Sequence, residues 1–245
     1  MKSLFTSHAD RFRLLLPVAL TFLFSTVSHA QKVDQSKLKT ATTRLTAATK
    51  VLAELSTLPP DEGIPKEILE GIDGLAIFPD SSSVSLLSTK FMKGYGVISW
   101  RVETGWSVPA FYGFATVTDG WPKLKAGKPA LIVIFRCAKS LQPSEKDHIP
   151  FNGESGPVGQ LKAGDSKNAR RCIYIYTLAG DKLRGITIED DRETKSGIKA
   201  DNNLNEAVYG LKAHEVISAK IPPAGPAILA QITEFQNALT NLSKP

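Results

Sequence analysis

The sequence predicts an α+β fold, in which a mainly antiparallel β-sheet, a sandwich or a partly closed barrel, has amphipathic helices at its N- and C-terminal ends. Three observations predict it. Helical apolar periods occupy residues 36–55 and 228–242, and between them lie short runs rich in Val, Ile, Phe, Tyr and Trp. With 245 residues, 42% hydrophobic and 22% charged, the chain has a globular composition and is long enough for one sizeable core.

The first thirty residues have the features of a secretory signal peptide. Residues 2–13 form a basic leader, residues 14–24 are apolar, and Ser28-His29-Ala30 offers small residues to a signal peptidase. The apolar run is too short to span a bilayer unless it is extended, which leaves a retained membrane anchor as the alternative. We expect export to the periplasm or the cell exterior, with residues 31–245 as a single mature domain. Cleavage would lower the net charge from +6 to +4.

The first helix of the mature chain is predicted by apolar residues that recur three and four positions apart. The stripe comprises Leu38, Ala41, Leu45, Ala48, Leu52 and Leu55. Such a stripe packs on the protein's own core or lies on a membrane. Pro59-Pro60 ends this helix, and a short helical turn follows from Ile64 until Gly71. The last helix places Ile228, Ile232, Phe235, Leu239 and Leu242 on one face.

The middle of the chain consists of short runs with strand composition, separated by Gly, Pro, Asp and Ser. No long helix intervenes between the runs, so antiparallel pairing is favoured over parallel crossover units. Residues 138–170 are poor in apolar side chains and are expected to form a surface excursion. The candidate strands are residues 75–78, 84–87, 95–102, 110–117, 131–136, 172–178 and 184–188.

The two cysteines, Cys137 and Cys172, both lie in the mature part of the chain. In an oxidising compartment they can form a disulfide, which in the chain-entropy model contributes about 4 kcal/mol. The alternative is a pair of small buried hydrophobic residues near strand ends. Neither belongs to a C-x-x-C pair, so nothing indicates redox catalysis or a zinc site.

Familiar catalytic and cofactor motifs are incomplete in this sequence. Residues 105–109 lack the closing glycine of a nucleophile elbow, and His214-Glu215 is not followed by the second histidine of a zinc protease. The acidic residues 189–193 lack the spacing of a calcium loop. We expect no catalytic residue, metal or cofactor. A hydrolase that uses Ser107 or His148 is an alternative hypothesis, kept beside the two binding hypotheses given below. The mild positive charge does not indicate a nucleic-acid partner.

Two runs interleave aromatic and basic residues. One is Trp121-Pro122-Lys123-Leu124-Lys125-Ala126-Gly127-Lys128, and the other is Lys90-Phe91-Met92-Lys93. At a membrane surface the aromatic side chains enter the headgroup layer, and each lysine gains about 1 kcal/mol from anionic lipid. The alternative is a hairpin loop whose aromatic side chain folds back on the sheet while the lysines are solvated.

Read in order, the glycine, aromatic and polar punctuation of the mature chain resembles the SYLF domain family, a lipid-binding module also found in exported bacterial proteins. The blocks that carry the resemblance are residues 74–79; residues 94–97 with Arg101; residues 105–111; residues 156–159; residues 174–177 followed by Gly180, Leu183, Gly185 and Glu189; and Asp201, Asn205, Tyr209 and Gly210.

The resemblance implies a non-enzymatic module that binds anionic phospholipid or a membrane surface. The expected lipid contacts are Lys37, Lys39, Arg44 and Lys50 on the first helix, Lys90, Phe91 and Lys93 in one run, and Trp121, Lys123, Lys125 and Lys128 in the other. The expected structural residues are Trp106 and Phe111 as core anchors, Asp201 and Asn205 as side chains that tie a loop to the backbone, and Tyr209. The alternative is an envelope protein-interaction or structural module that binds no lipid.

Overall fold

The computed structural model describes residues 34–86, 89–117, 128–136, 148–150, 158–159, 172–186, 197–218 and 226–243. The predicted signal peptide and most of the predicted surface excursion lie outside this part of the chain. The helices are α1 (Gln35–Thr57), α2 (Lys66–Leu69), α3 (Asn202–Tyr209), α4 (Ala213–Ser218) and α5 (Pro226–Leu242). The strands are β1 (Gly74–Leu86), β2 (Thr89–Val102), β3 (Gly105–Trp106), β4 (Ala110–Val117), β5 (Ala130–Phe135), β6 (His148–Pro150), β7 (Val158–Gly159), β8 (Ile173–Ala179), β9 (Lys182–Gly185) and β10 (Gly197–Ala200).

The strands form one mainly antiparallel sheet in the order β6-β10-β4-β2-β1-β5-β8-β7, with β3 paired to β2 and β9 to β8. The short β7 pairs with β8 in parallel. Among the described strands, β6 and β7 do not pair with each other, so the sheet is open. The predicted α+β class is confirmed, with helices at both ends of the chain packed on the sheet.

The sheet is centred on a long hairpin made by β1 and β2. The sequence predicts two strands, at residues 75–78 and 84–87, where the structure has the single strand β1. A register shift between Ile77 and Asp80 interrupts its pairing with β2. Pro79 lies within this irregularity. Proline has no backbone N–H to donate to a strand ladder, so it is tolerated where the pairing is interrupted. The gap that the sequence predicts between two strands is therefore an irregularity within one strand, and β1 continues beyond it.

Helix α1 begins at an N-cap formed by Asp34, whose Oδ1 accepts hydrogen bonds from the backbone N–H groups of Ser36 and Lys37 at 3.0 and 3.3 Å. Its apolar stripe is buried in the protein's own core from Ala41 to Leu55. Each fully buried Leu of such a stripe contributes about 1.5–3 kcal/mol. Helix α5 packs with α1 and buries Ile228, Ile232, Phe235 and Leu239. In the described part of the chain, no helix combines the length and the apolar character needed to span a bilayer.

Helices α1 and α3 pack on the same face of the sheet. Directly paired residues of neighbouring strands project to the same side, so Val97 of β2 and its partner Phe111 of β4 lie on one face, together with Tyr95. Arg44 of α1 lies over the Tyr95 ring, and Tyr209 of α3 stacks on Phe111. We call this side the helix face.

Candidate functional site

The N-terminal half of β2, which pairs with the C-terminal half of β1, exposes a row of aromatic and basic side chains on the helix face. Phe91, Lys93 and Tyr95 are exposed, whereas Met92 and Gly94 between them are buried, as the two-residue period of a strand requires. Phe91 is 45% exposed and Tyr95 is 57% exposed. Four large hydrophobic side chains are exposed in the described residues, and two of them flank Lys93. We call Phe91, Lys93 and Tyr95 the β2 surface.

The residues that pair with Lys93 and Tyr95 are mostly small, and they leave these side chains exposed above the sheet surface. Lys93 pairs with Ser82 of β1 and with Ala115 of β4. Tyr95 pairs with Gly113, and its ring atoms lie 3.2 Å from the point where a Cβ of that glycine would be. The Tyr95 ring therefore crosses the glycine instead of packing against a larger side chain. On the other flank, Tyr95 pairs with the exposed Asp80.

The row that contains Tyr95 continues across two further strands to Lys199 and His148. Gly113 pairs with Lys199 of β10, and Lys199 pairs with His148 of β6. Lys199 is exposed, and the His148 imidazole covers Gly197, with Nε2 2.6 Å from the position of a Cβ there. Burial, and secondarily the charge of Lys199, lowers the pKa of His148 below its ordinary 6.5. His148 is therefore uncharged at neutral pH.

This lowered pKa predicts an acid-sensitive fold. Because the unfolded chain takes up the proton at higher pH than the folded chain, the contribution of His148 to stability is fully present above pH 6.5 and is lost as the pH falls through 6.5 towards the folded-state pKa. We expect the midpoint of urea unfolding to decrease over this window, and to decrease less in His148→Gln. A pH dependence that is the same in both proteins would contradict the assignment.

Arg44, an expected lipid contact, is engaged within the protein. Its guanidinium lies 4.7 Å from the centre of the Tyr95 ring. Its Nη1 is 2.7 Å from Oδ2 of Asp201, and the two side chains are 19% and 22% exposed. The positive charge is thus balanced by a carboxylate, and Arg44 holds α1 against both β2 and the start of α3.

The other expected contacts on α1 are not gathered beside the β2 surface. The Lys37 Nζ donates to the carbonyl oxygen of Asn203 at 3.3 Å, so this residue also contacts α3. Lys39 is exposed, and the exposed Lys50 lies 3.9 Å from Glu54 on the same helix. Successive residues of a helix are rotated by about 100°, and Lys39 and Lys50 accordingly lie on other sides of α1 than Arg44.

The second basic and aromatic run lies mostly outside the described residues, which exclude Trp121, Lys123 and Lys125. Its flanks are described. Val117 pairs with Phe91, and the exposed Lys128 precedes Pro129, whose carbonyl oxygen accepts a hydrogen bond from the Ser81 N–H of β1 at 3.1 Å. Both flanks therefore lie at the end of the sheet that carries the β2 surface. The side chain of Lys90 is outside the described part.

The residues expected to be structural form a buried polar junction between β4, β10 and α3. Asp201 is the N-cap of α3 and accepts from the Leu204 N–H. Asn205 is fully buried, accepts from the Phe111 N–H at 2.8 Å and donates to the Phe111 carbonyl oxygen at 2.9 Å. The Tyr209 hydroxyl donates to the Pro109 carbonyl oxygen at 2.8 Å. Burial raises the pKa of Tyr209, so its hydroxyl remains a donor.

Trp106 anchors the neighbouring strand β3. Its ring is buried beneath the Arg101 guanidinium, which lies 4.3 Å from the ring centre. The Gln236 side chain of α5 donates to the Trp106 carbonyl oxygen at 2.9 Å. Trp106 therefore joins the end of β2 to the C-terminal helix.

Two other residues considered from the sequence have structural surroundings. Ser107 is buried, and its hydroxyl accepts from the Trp100 N–H at 3.0 Å and donates to the Val108 carbonyl oxygen at 3.1 Å. Cys172 is disulfide-bonded. Cys137, its expected partner and the only other cysteine of the sequence, is outside the described residues. Arg136, which precedes Cys137 in the chain, donates its backbone N–H to the Cys172 carbonyl oxygen at 2.9 Å.

Sequence reasoning did not single out Tyr95 or Lys199 as members of the site. The alternation of Phe91, Lys93 and Tyr95 was a usable signal, because it predicts three side chains on one face of a strand. Lys199 carried no local signal, since its position depends on the pairing of β10 with β4. No cluster of metal-ligating side chains is present in the described ranges. Comparisons with protein-family models, curated proteins and solved structures found no match to this chain.

Proposed function

We propose that this protein binds anionic phospholipid at a membrane surface, without catalysis, through the β2 surface. The observation that carries the proposal is the exposure of Phe91 and Tyr95 on either side of Lys93, on one face of one strand. Exposed aromatic side chains around a cation suit the boundary between headgroups and acyl chains. The resemblance to the SYLF family, from which lipid binding was expected, supports the same function.

The charges around the β2 surface favour an anionic membrane. Lys199 on β10 and Lys128 before β5 are exposed, with β4 and β1 respectively between them and β2, and Asp80 is the acidic neighbour paired with Tyr95. Each lysine near an anionic surface contributes about 1 kcal/mol, and the attraction weakens within a Debye length of about 10 Å at 0.1 M salt. Trp121, Lys123 and Lys125 are outside the described residues, and their contact with lipid stays a prediction from the sequence.

The test is co-sedimentation of residues 31–245, the predicted mature chain, with lipid vesicles. Phosphatidylcholine vesicles are compared with vesicles that also contain phosphatidylglycerol, at low and high salt. We expect pelleting with the anionic vesicles alone, decreasing as salt rises. Phe91→Ala and Lys93→Glu are each expected to weaken binding about fivefold to tenfold, because the first removes an exposed aromatic side chain that would enter the headgroup layer and the second reverses a charge at the surface.

Each variant has a matched control on another element. Leu229→Ala removes a side chain of α5 that is 43% exposed, close to the value for Phe91. Lys66→Glu reverses an exposed lysine of α2. Both controls are expected to bind as the unaltered chain does. Equal pelleting with neutral and anionic vesicles, or an equal loss of pelleting in the control and site variants, would show that the β2 surface is not the lipid-binding site. No pelleting under any condition would favour the envelope protein-interaction module instead.

A further inference from the structure

Tyr95 is the most exposed large hydrophobic side chain in the described residues, at 57%, yet its ring contacts two other elements. Ring atoms lie 3.2 and 3.3 Å from the point where a Cβ of Gly113 would be, so one edge of the ring lies against β4. The guanidinium of Arg44 lies 4.7 Å from the centre of the same ring. The strand partners of Tyr95, Gly113 and the exposed Asp80, offer it little side-chain packing. The orientation of the ring therefore depends on Arg44 of α1.

Arg44 is itself held in place by Asp201. Its Nη1 lies 2.7 Å from Oδ2 of that carboxylate, a distance typical of a charge-assisted hydrogen bond. Asp201 is fixed in turn, because its N–H donates to the Phe111 carbonyl oxygen at 3.0 Å and its Oδ1 accepts from the Leu204 N–H at 3.3 Å. Contacts thus run from the backbone of β4, through the N-cap of α3 and the guanidinium, to the Tyr95 ring.

The same contacts make Arg44 unsuited to direct lipid binding. Its side chain is 19% exposed, and its charge is paired with a carboxylate. Lipid that drew the guanidinium away would leave Asp201 without its cation. Arg44 can instead contribute by ordering its neighbour. Immobilising a free side chain on binding lowers affinity about twofold to tenfold, and a Tyr95 ring that is already ordered avoids this loss.

We propose that Arg44 is a positioning residue of the β2 surface, which promotes lipid binding by holding the Tyr95 ring and not by contacting lipid. This inference rests on the proposed function, because it concerns the same surface. A planar guanidinium can pair with a carboxylate and lie over an aromatic ring at the same time. The compact ammonium of a lysine keeps the charge but cannot keep both contacts. Arg44→Lys therefore separates position from charge.

A double-mutant cycle on vesicle binding tests the proposal. Phosphatidylcholine vesicles that contain phosphatidylglycerol are titrated into residues 31–245 as the unaltered chain, Arg44→Lys, Tyr95→Ala and the double variant. We expect Tyr95→Ala to weaken binding about fivefold and Arg44→Lys about threefold. In the Tyr95→Ala background, Arg44→Lys is expected to cause no further loss, because the ring on which it acts is absent. Urea unfolding checks that all four chains are folded.

Lys39→Gln is the matched control, because Lys39 is an exposed cation of the same helix on another side than Arg44. Any effect of this substitution on vesicle binding is expected to be the same with and without the Tyr95 side chain.

The possible outcomes distinguish this inference from the proposed function. Unchanged binding in Arg44→Lys would show that its charge alone matters, and an equal loss with and without Tyr95 would show that Arg44 supports the fold generally. Either result overturns the inference, as does unchanged binding in Tyr95→Ala. In these cases, losses in Phe91→Ala and Lys93→Glu would still support lipid binding at the β2 surface. Absence of pelleting by the unaltered chain would reject both.

Discussion

Substituting Asn205 with alanine is expected to lower the free energy of unfolding by about 2–4 kcal/mol. Its side chain satisfies both the N–H and the carbonyl group of Phe111, and it also donates to the Asp201 carbonyl oxygen at 3.0 Å. The variant would remove the acceptor of the buried Phe111 N–H, whereas the Phe111 and Asp201 carbonyl oxygens would keep their backbone donors. It would also add a small cavity beside β4. Urea unfolding followed by tryptophan fluorescence measures the change.

Asn203→Ala is the matched control, because Asn203 lies on the same helix with an exposed side chain. Its backbone carbonyl, which accepts from Lys37, is retained in the variant. We expect a change of less than about 0.5 kcal/mol for this control. Equal losses in the two variants would mean that α3 is weakened generally and that the hydrogen bonds to Phe111 are not responsible.

A second large effect is expected at Gly96, where alanine should cost about 3 kcal/mol or prevent folding. A Cβ at this position would overlap the carbonyl oxygen of Ile77. The overlap is with backbone, so no side-chain rotation relieves it. Gly96 lies opposite the irregular stretch of β1 between Ile77 and Asp80, which brings the β1 backbone close to it. The yield of folded protein and the urea midpoint are the measurements.

Gly94→Ala provides the comparison, because the closest contact of a Cβ there is with the Phe114 ring at 2.5 Å, and the backbone carbonyl oxygen of Asp80 is farther away at 3.1 Å. We expect a smaller loss than for Gly96→Ala. A loss as large at Gly94 as at Gly96 would show that β2 merely disfavours side chains on that face. The contrast gives the Gly94-Tyr95-Gly96 motif a physical meaning, since one glycine admits the backbone of β1 and the tyrosine between them faces solvent.

Local periodicity predicted the elements whose burial follows from neighbouring residues. The stripe of α1 and the wholly buried β5 are apparent in the sequence because each pattern is complete within its own segment. Strand β1 was divided in the prediction because Pro79 and the serines after it resemble a break. The chain continues through a bulge, and that outcome depends on pairing with β2.

The sites were less predictable because they are assembled from distant parts of the chain. Arg44 was expected to meet lipid on the basis of charge alone, yet it contacts Asp201, which is 157 positions away. Phe91 and Lys93 were identified because they are close in sequence, whereas the exposure of Tyr95 depends on Gly113 of another strand. No pattern within one segment contains that information.

The packing of α1 against α5 affects the timing of folding. Helix α1 packs against β1, β2 and α3, but its most extensive packing is with α5, the last helix of the described chain, so the burial of its apolar stripe is completed late. Contacts that close such long loops form slowly. A chain with this topology completes its core only after α5 is available to pack against α1.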